Sequence, residues 1–267
     1  MTTLAHFVVT RFNLRAAASA GDYQIDEDWL TSRLDLFETF CYPTVAGQSV
    51  QDFKWLVLFD SETPPRIRER IAKLQEWQNF VPKFVPPATE HSCRLAVTER
   101  LETIPDLLVT TRLDNDDGIC RTFIEQVRRR LENVNVPTVL EFPVGYVWHK
   151  NRVYLDRQTH NPFTTLAEPC RGSREYKIRT IYSGSHTDVA KLGQIVNVTE
   201  EPSWIQVIHG GNLENRARGV RRPIAEIARD FDIRTESLPK REQPLEYYLD
   251  KAVSLLRTSA YIALGKR

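Results

Sequence analysis

Short runs of β-branched and aliphatic residues alternate, over the first 117 positions, with segments whose apolar side chains recur every three to four residues. His6–Arg11 reads as a strand. From Asp26 to Cys41, Trp29, Leu30, Leu34, Phe37 and Cys41 keep helical spacing behind two early aspartates, and Pro43 stands just past the end. Lys54–Asp60 is a second strand. Thr63 followed by Pro64 and Pro65 supplies an N-cap and a first-turn proline for a basic helix through Gln78. Val81–Val85 is a third strand, and Ser92–Ile104 a further helix. Pro105-Asp106 then turns the chain into Leu107–Leu113, a strand that runs directly into RLDNDDG. Three βα units therefore precede an acidic cluster, the order that builds a mostly parallel, Rossmann-like sheet with helices on its faces.

Beyond the cluster the pattern changes. Ile119–Leu131 reads as a helix carrying Arg128, Arg129 and Arg130, and Thr138–Phe142 as a strand. GYVWHKNRVYLD, Gly145–Asp156, has aromatic and β-branched arms around a polar centre, a hairpin signature. Residues 159–203 read as irregular, with short strands at Ile178–Tyr182 and Ile195–Val198. Trp204–His209 is a strand entering the loop HGGNLENRARG, and Pro223–Phe231 and Leu245–Leu264 are closing helices. The expectation is an α/β chain with a mixed C-terminal half, one domain over 1–267. Function is expected to divide near residue 117, between a nucleotide-binding half, 1–117, and a substrate half, 118–267.

The charge balance, 36 Lys plus Arg against 35 Asp plus Glu, gives a net +1, which does not favour a nucleic-acid partner despite the arginines at 128–130 and 216–222. No run of about 20 apolar residues is present, and Arg11 interrupts the N-terminus before a signal-peptide core could form. A cytoplasmic protein is expected, with peripheral contact at the inner face of a membrane as an additional expectation from the apolar and basic residues of Leu245–Leu264. Cys41, Cys93, Cys120 and Cys170 are widely spaced, which fits reduced thiols better than a disulfide frame or a zinc site.

The chemistry concentrates at Asp114, Asn115, Asp116 and Asp117. They follow a strand, at the edge where open α/β sheets bind ligands. Carboxylates packed so closely repel unless a cation lies between them, and Mg²⁺ or Mn²⁺ takes such oxygens together with substrate phosphates. A solvated turn or a helix N-cap is the competing account of the same residues. An EF-hand reading places Asp114, Asp116 and Glu125 at positions one, three and twelve, but fails because Ile119 occupies the sixth position, where glycine is needed.

Five ordered segments carry a family resemblance: TRFN (10–13), FKWLVLFDSETP (53–64), TTRLDNDDG (110–118), NPFTTLAE (161–168) and WIQVIHGGNLENRARG (204–219). Together they resemble the putative rhamnosyl transferase family, which is itself similar to nucleotide-sugar glycosyltransferases of the GT-A fold. The resemblance implies transfer of a sugar, L-rhamnose by the family's name, from a nucleoside-diphosphate donor to a glycan or lipid-linked acceptor, with Mn²⁺ or Mg²⁺ as cofactor. It implies metal contact by Asp114, Asp116 and a late histidine, His209. Thr10, Arg11, Asn13, Asp60, Arg112 and Asp114 are then expected around the nucleotide and ribose. Asn212, Asn215, Arg216 and Arg218 are expected in a loop over the diphosphate. An inverting reaction needs a carboxylate base, for which Glu168 leads, with Asp188 second and Asp156 third. A non-catalytic glycan-binding module is the alternative reading.

Overall fold

The computed structural model of the chain describes residues 3–14, 26–86, 91–132, 134–174, 177–184, 188–209, 218–234 and 243–263. Seven strands form the main sheet: β1 (Leu4–Arg11), β2 (Lys54–Asp60), β3 (Phe80–Val85), β4 (Leu107–Arg112), β6 (Thr138–Glu141), β9 (Thr164–Pro169) and β10 (Gln194–Asn197). Their order is β10-β6-β9-β4-β1-β2-β3. All neighbours run parallel except β9, which lies antiparallel between β4 and β6. The mostly parallel α/β sheet expected from the alternation is therefore present. The 3-2-1-4 order of its first half reverses direction between β1 and β4, and the crevice outside the carboxyl ends there is the ligand position of open α/β sheets.

Alternation along β1 explains the two-sided burial. Val8 and Phe12 enter one apolar cluster and Phe7 and Val9 the other, so both faces of the strand are covered. A second sheet, β12-β8-β7-β11-β5, is built from β5 (Gly118–Ile119), β7 (Val144–His149), β8 (Arg152–Arg157), β11 (Trp204–Ile208) and β12 (Val220–Arg222). β7 and β8 are the expected hairpin; Lys150 and Asn151 turn it with positive φ values of 49° and 59°. Trp204 is wholly buried and stacks on Phe163 with ring centroids 4.7 Å apart. It lies over Gly145, where an added Cβ would stand 2.0 Å from the indole, so only glycine fits beneath it.

Four boundaries differ from the sequence reading. α1 (Glu27–Leu36) is capped by Asp26, which accepts from the backbone N–H groups of Asp28 and Trp29, but it does not stop before Pro43. One wide π-type turn, Phe37–Cys41, leads into α2 (Tyr42–Ala46), and the Tyr42 N–H reaches back five residues to Phe37. That wider turn lets the helix pass a residue that has no N–H and whose ring would crowd a regular turn. α3 (Pro65–Leu74) has Pro64 at its cap, because the Thr63 hydroxyl donates to the Asp60 carbonyl instead. α4 (Ser92–Thr98) ends six residues early, and α5 (Phe123–Arg129) begins four residues late, after β5 has used Gly118 and Ile119.

The stretch read as irregular contains β9, a central strand. NPFTTLAE alternates weakly in hydrophobicity, yet Thr164 and Thr165 are fully buried and the Thr165 hydroxyl meets that of Thr111 at 2.7 Å. α6 (Ile224–Asp230) and α7 (Pro244–Ala263) complete the fold; α7 presents Ser254 as its buried residue. Among the described residues, no helix is long and apolar enough to cross a membrane.

Candidate active site

The acidic loop is the link between the two sheets. β4 ends at Arg112, the loop crosses the β1/β4 crevice, and the chain enters β5, which pairs antiparallel with β11 through Trp204–Ile119 and Ile205–Gly118. β5 is only two residues long. Asp117 extends the pairing by side chain: its Oδ1 accepts the Val207 N–H at 2.9 Å. That bond holds β11 against the loop, and two residues later the chain delivers His209 to Asp116, with Nε2 and Oδ2 2.9 Å apart across 93 residues of sequence. Asn115 ties the loop to β1, donating to the Phe12 carbonyl at 2.7 Å.

A third group completes the cluster, and the sequence reading did not single it out. Arg33, in the last turn of α1, brings Nη1 to 2.6 Å from Asp116 Oδ2 and to 2.8 Å from His209 Nε2. Its buried Nε has no hydrogen-bond partner among the described residues, so part of the guanidinium fork is unused. Adjacent vertices of an octahedral ion with bonds of about 2.1 Å lie about 3.0 Å apart. The Asp116–His209 separation fits such a pair of ligands, and the guanidinium fills the position between them. Among the described residues no group of three histidine, cysteine or acidic side chains is gathered as a metal cage. Asp114 instead pairs with Arg112 at 3.3 Å. Asp117 is buried, and burial together with the charges of Asp116 and Asp114 pushes its carboxyl well above the ordinary value. Asp117 does not cap a helix, since α5 starts at Phe123.

On the other face of β1 and β4, Arg11 and Arg112 flank the ring of Tyr182, at 4.9 and 5.6 Å from its centroid. Tyr182 donates to the Val9 carbonyl and is a further residue that sequence reading missed. Its hydroxyl is pushed upward by burial and by Asp114, so it stays protonated. The remaining nucleotide candidates are knitted into the frame. Thr10 is fully buried and accepts from the Trp55 indole N–H at 3.0 Å. Asn13 donates to Thr63 and accepts from the Asp60 backbone, while the Asp60 carboxylate takes the Glu62 N–H at 2.8 Å. These three shape the carboxyl edge; Arg11, Arg112 and Asp114 are the side chains of that set turned to the crevice. Asn212, Asn215 and Arg216 lie outside the described residues; Arg218 lies at their edge and is exposed.

The base assignments are corrected. Glu168 pairs in register with Leu108, six residues before Asp114, so about 20 Å of strand separates them. Its carboxylate makes a two-pronged ion pair with Arg179, at 3.0 and 2.9 Å. Asp188 precedes β10, whose Gln194 pairs with the first residue of β6, and it binds Lys191 at 2.7 Å on the same far edge. Asp156 is buried opposite Gly145, at the start of β7. Strand direction decides Glu168, because β9 runs opposite to β4. Glu168→Gln is accordingly expected to lower stability by about 1–2 kcal/mol, a partly exposed charged pair, while turnover per folded molecule stays within twofold. Denaturant unfolding alongside a rate assay separates the two effects.

His149 lies at the right edge. It ends β7 in register with Ile208, one residue from His209. Burial and the charges of Lys150 and Arg152 push its imidazole below the ordinary value, leaving it neutral at pH 7.

A family model described as putative rhamnosyl transferase matches residues 5–221. No curated protein sequence matches the chain. Among solved structures, the chain is similar to residues 1–349 of TarS from S. aureus, at 9% identity and TM-score 0.49, covering 76% of this chain and 60% of that one. TarS 1–349 in complex with UDP gives 11% identity, TM-score 0.46 and the same coverages. The mannosyltransferase PcManGT from Pyrobaculum calidifontis, in complex with GDP-Man and Mn²⁺, gives 10% identity and TM-score 0.42, covering 78% and 58%. The chain thus spans about three fifths of the length of each.

Proposed function

The chain belongs to the putative rhamnosyl transferase family, and on that premise we propose that it is a glycosyltransferase taking a sugar, L-rhamnose by the family's name, from a nucleoside-diphosphate donor to a glycan or lipid-linked acceptor. The observation that carries this reading is the convergence of Asp116, His209 and Arg33 at the β1/β4 crevice, beside Arg112 and Asp114. Residues 1–117 supply most of the donor side and 118–267 the acceptor side.

The donor's diphosphate carries its charge to a place where, among the described residues, the fold gathers cations at the carboxyl edge. Arg11 and Arg112 face it from one side and Arg33 from the other, and guanidinium forks pair bidentately with phosphate oxygens. Asp116 and His209 would hold a divalent ion, which when bound supplies a Lewis acid for the charge developing on the leaving diphosphate. Asp117 acts by position, keeping β11 and hence His209 in register with the loop. For the acceptor, His149 is the group we assign as general base. Its neutral imidazole accepts the hydroxyl proton as the oxygen attacks the anomeric carbon, and the diphosphate leaves with the bonding pair. His149→Gln is expected to lower kcat on the order of 10²-fold with little change in donor KM; an unaltered kcat removes His149 from this role.

Thermal unfolding against dTDP, UDP, GDP and CMP, each with and without Mn²⁺, tests the donor site. A ligand at 100 times its Kd raises folded stability by about 2.7 kcal/mol. One nucleotide is expected to stand out, with its shift reduced in Asp116→Ala. No shift for any nucleotide, with retained binding to a glycan array, would instead favour the non-catalytic glycan-binding module.

A further inference from the structure

α7 is attached by its polar side. Asp250 accepts from the Tyr154 hydroxyl at 2.9 Å and pairs with Arg221 at 3.0 Å, Glu246 pairs with Arg152, and the Ser254 hydroxyl accepts the Arg221 N–H at 2.9 Å. These residues recur at i, i+4 and i+8 and so define one face of the helix. The opposite face is apolar and in water: Leu245, Leu256 and Ile262 are 74, 73 and 59% exposed, and Tyr248 and Leu255 are exposed with them. A surface helix of a monomer turns its apolar stripe inward; here the stripe points outward along the whole helix. So large a contiguous patch is more than monomers usually leave bare.

The spacing of that stripe selects its occupant. Leu245, Tyr248, Ala252, Leu255, Ser259 and Ile262 fall at alternating intervals of three and four, the a and d positions of a heptad. The a positions after the first are small, Ala252 and Ser259, and the d positions are large. About a two-fold axis between Val253 and Ser254, an antiparallel copy of the same helix sets Leu245 against Ile262, Ala252 against Leu255, and Ser259 against Tyr248. Each small residue then meets a large one, as interdigitated layers require, and the arrangement closes on itself as a two-fold interface must. A lipid surface would require none of this alternation. Leu249 and Leu256 flank the seam and bring the apolar area to the order of the roughly 800 Å² a side of a standard interface.

We propose that α7 is a self-complementary dimerisation helix, joining two copies of this chain antiparallel through the face opposite Asp250. The test uses the intact protein. Light scattering after size exclusion at tens of micromolar is expected to give twice the 30.9 kDa chain mass. The double variant Leu255→Glu, Leu256→Glu is expected to run as a monomer with native helix content by circular dichroism, since both side chains are exposed in one copy, and to lose the concentration dependence of Tm that a dimer shows. The pairing itself is read by Ala252→Cys combined with Leu255→Cys, expected to give a covalent dimer under mild oxidation. Leu245→Cys alone is expected not to, because its two copies lie about 25 Å apart in this register; the native cysteines are all buried and leave the gel clean. A monomeric native protein, a dimer unaffected by the glutamates, or crosslinking through Leu245→Cys alone overturns the proposal. A monomer that sediments with phosphatidylglycerol-containing vesicles, and loses that with the glutamates, overturns it in favour of a membrane surface.

Discussion

Asp116→Asn is expected to lower turnover by a factor on the order of 10²–10³, the effect of removing one preorganised electrostatic group from a transition state, while leaving the fold intact. The carboxylate is the meeting point of Arg33 and His209, and its side chain is 9% exposed. Asparagine keeps the shape and one acceptor oxygen but gives up the charge that holds either the guanidinium or a divalent ion. The cost in stability is contained by a second term. Asp117, raised by burial and by Asp116, is a carboxyl whose folded pKa exceeds its unfolded one. Its favourable contribution is therefore complete below the unfolded value near 4 and is lost as pH rises through the folded value, so at neutral pH it burdens the fold. Removing the Asp116 charge relieves part of that burden and offsets part of the lost Arg33 pair. Nucleoside-diphosphate release from the donor, measured with thermal unfolding of the same preparations, checks both halves. Retention of more than a tenth of native turnover would take Asp116 out of the mechanism.

The parallel half of the fold was legible because its central strands, β1, β2 and β4, are buried on both faces and read as mostly apolar runs. Trp55–Phe59, wholly buried, is the plainest case. β9 was hidden for the converse reason. Two of its buried positions are threonines, and the Thr165 hydroxyl finds that of Thr111 across the sheet; hydropathy cannot see a satisfied hydroxyl. That one omission carried Glu168 to the wrong end of the molecule, since a residue in an irregular loop could have reached the acidic cluster and a residue on an antiparallel strand could not. The acidic loop itself was visible as composition, but the separate work of Asp117 was not. Its role depends on β5 being two residues long, so that a carboxylate finishes a ladder that backbone would otherwise finish. Arg33 left no signal beyond a basic residue in a helix's last turn, where cations are ordinary. Leu30 and Leu34 mark the buried stripe of α1, and only the path of the acidic loop past its edge turns Arg33 into part of the site.

Arg33→Gln is the second variant with a large expected effect, and it separates two ways of neutralising Asp116. The guanidinium occupies the position that a divalent ion would need, so metal entry has to displace a charged hydrogen bond of a kind worth about 1.5–3 kcal/mol. Removing it is expected to tighten Mn²⁺ binding by about tenfold, equivalent to about 1.4 kcal/mol, as read from the free-ion paramagnetic resonance signal without any substrate present. Turnover is expected to fall by about tenfold or more at saturating Mn²⁺, because the displaced arginine, with its unused Nε donor, is then free to pair with the donor's phosphate oxygens. Arg33→Lys discriminates charge from shape. It keeps the competition for Asp116 but cannot form the fork, so it should restore native Mn²⁺ affinity and leave turnover low. Unchanged Mn²⁺ affinity in Arg33→Gln would mean that the Arg33–Asp116 pair does not oppose the ion, and a gain in turnover would mean that Arg33 restrains the reaction instead of serving it.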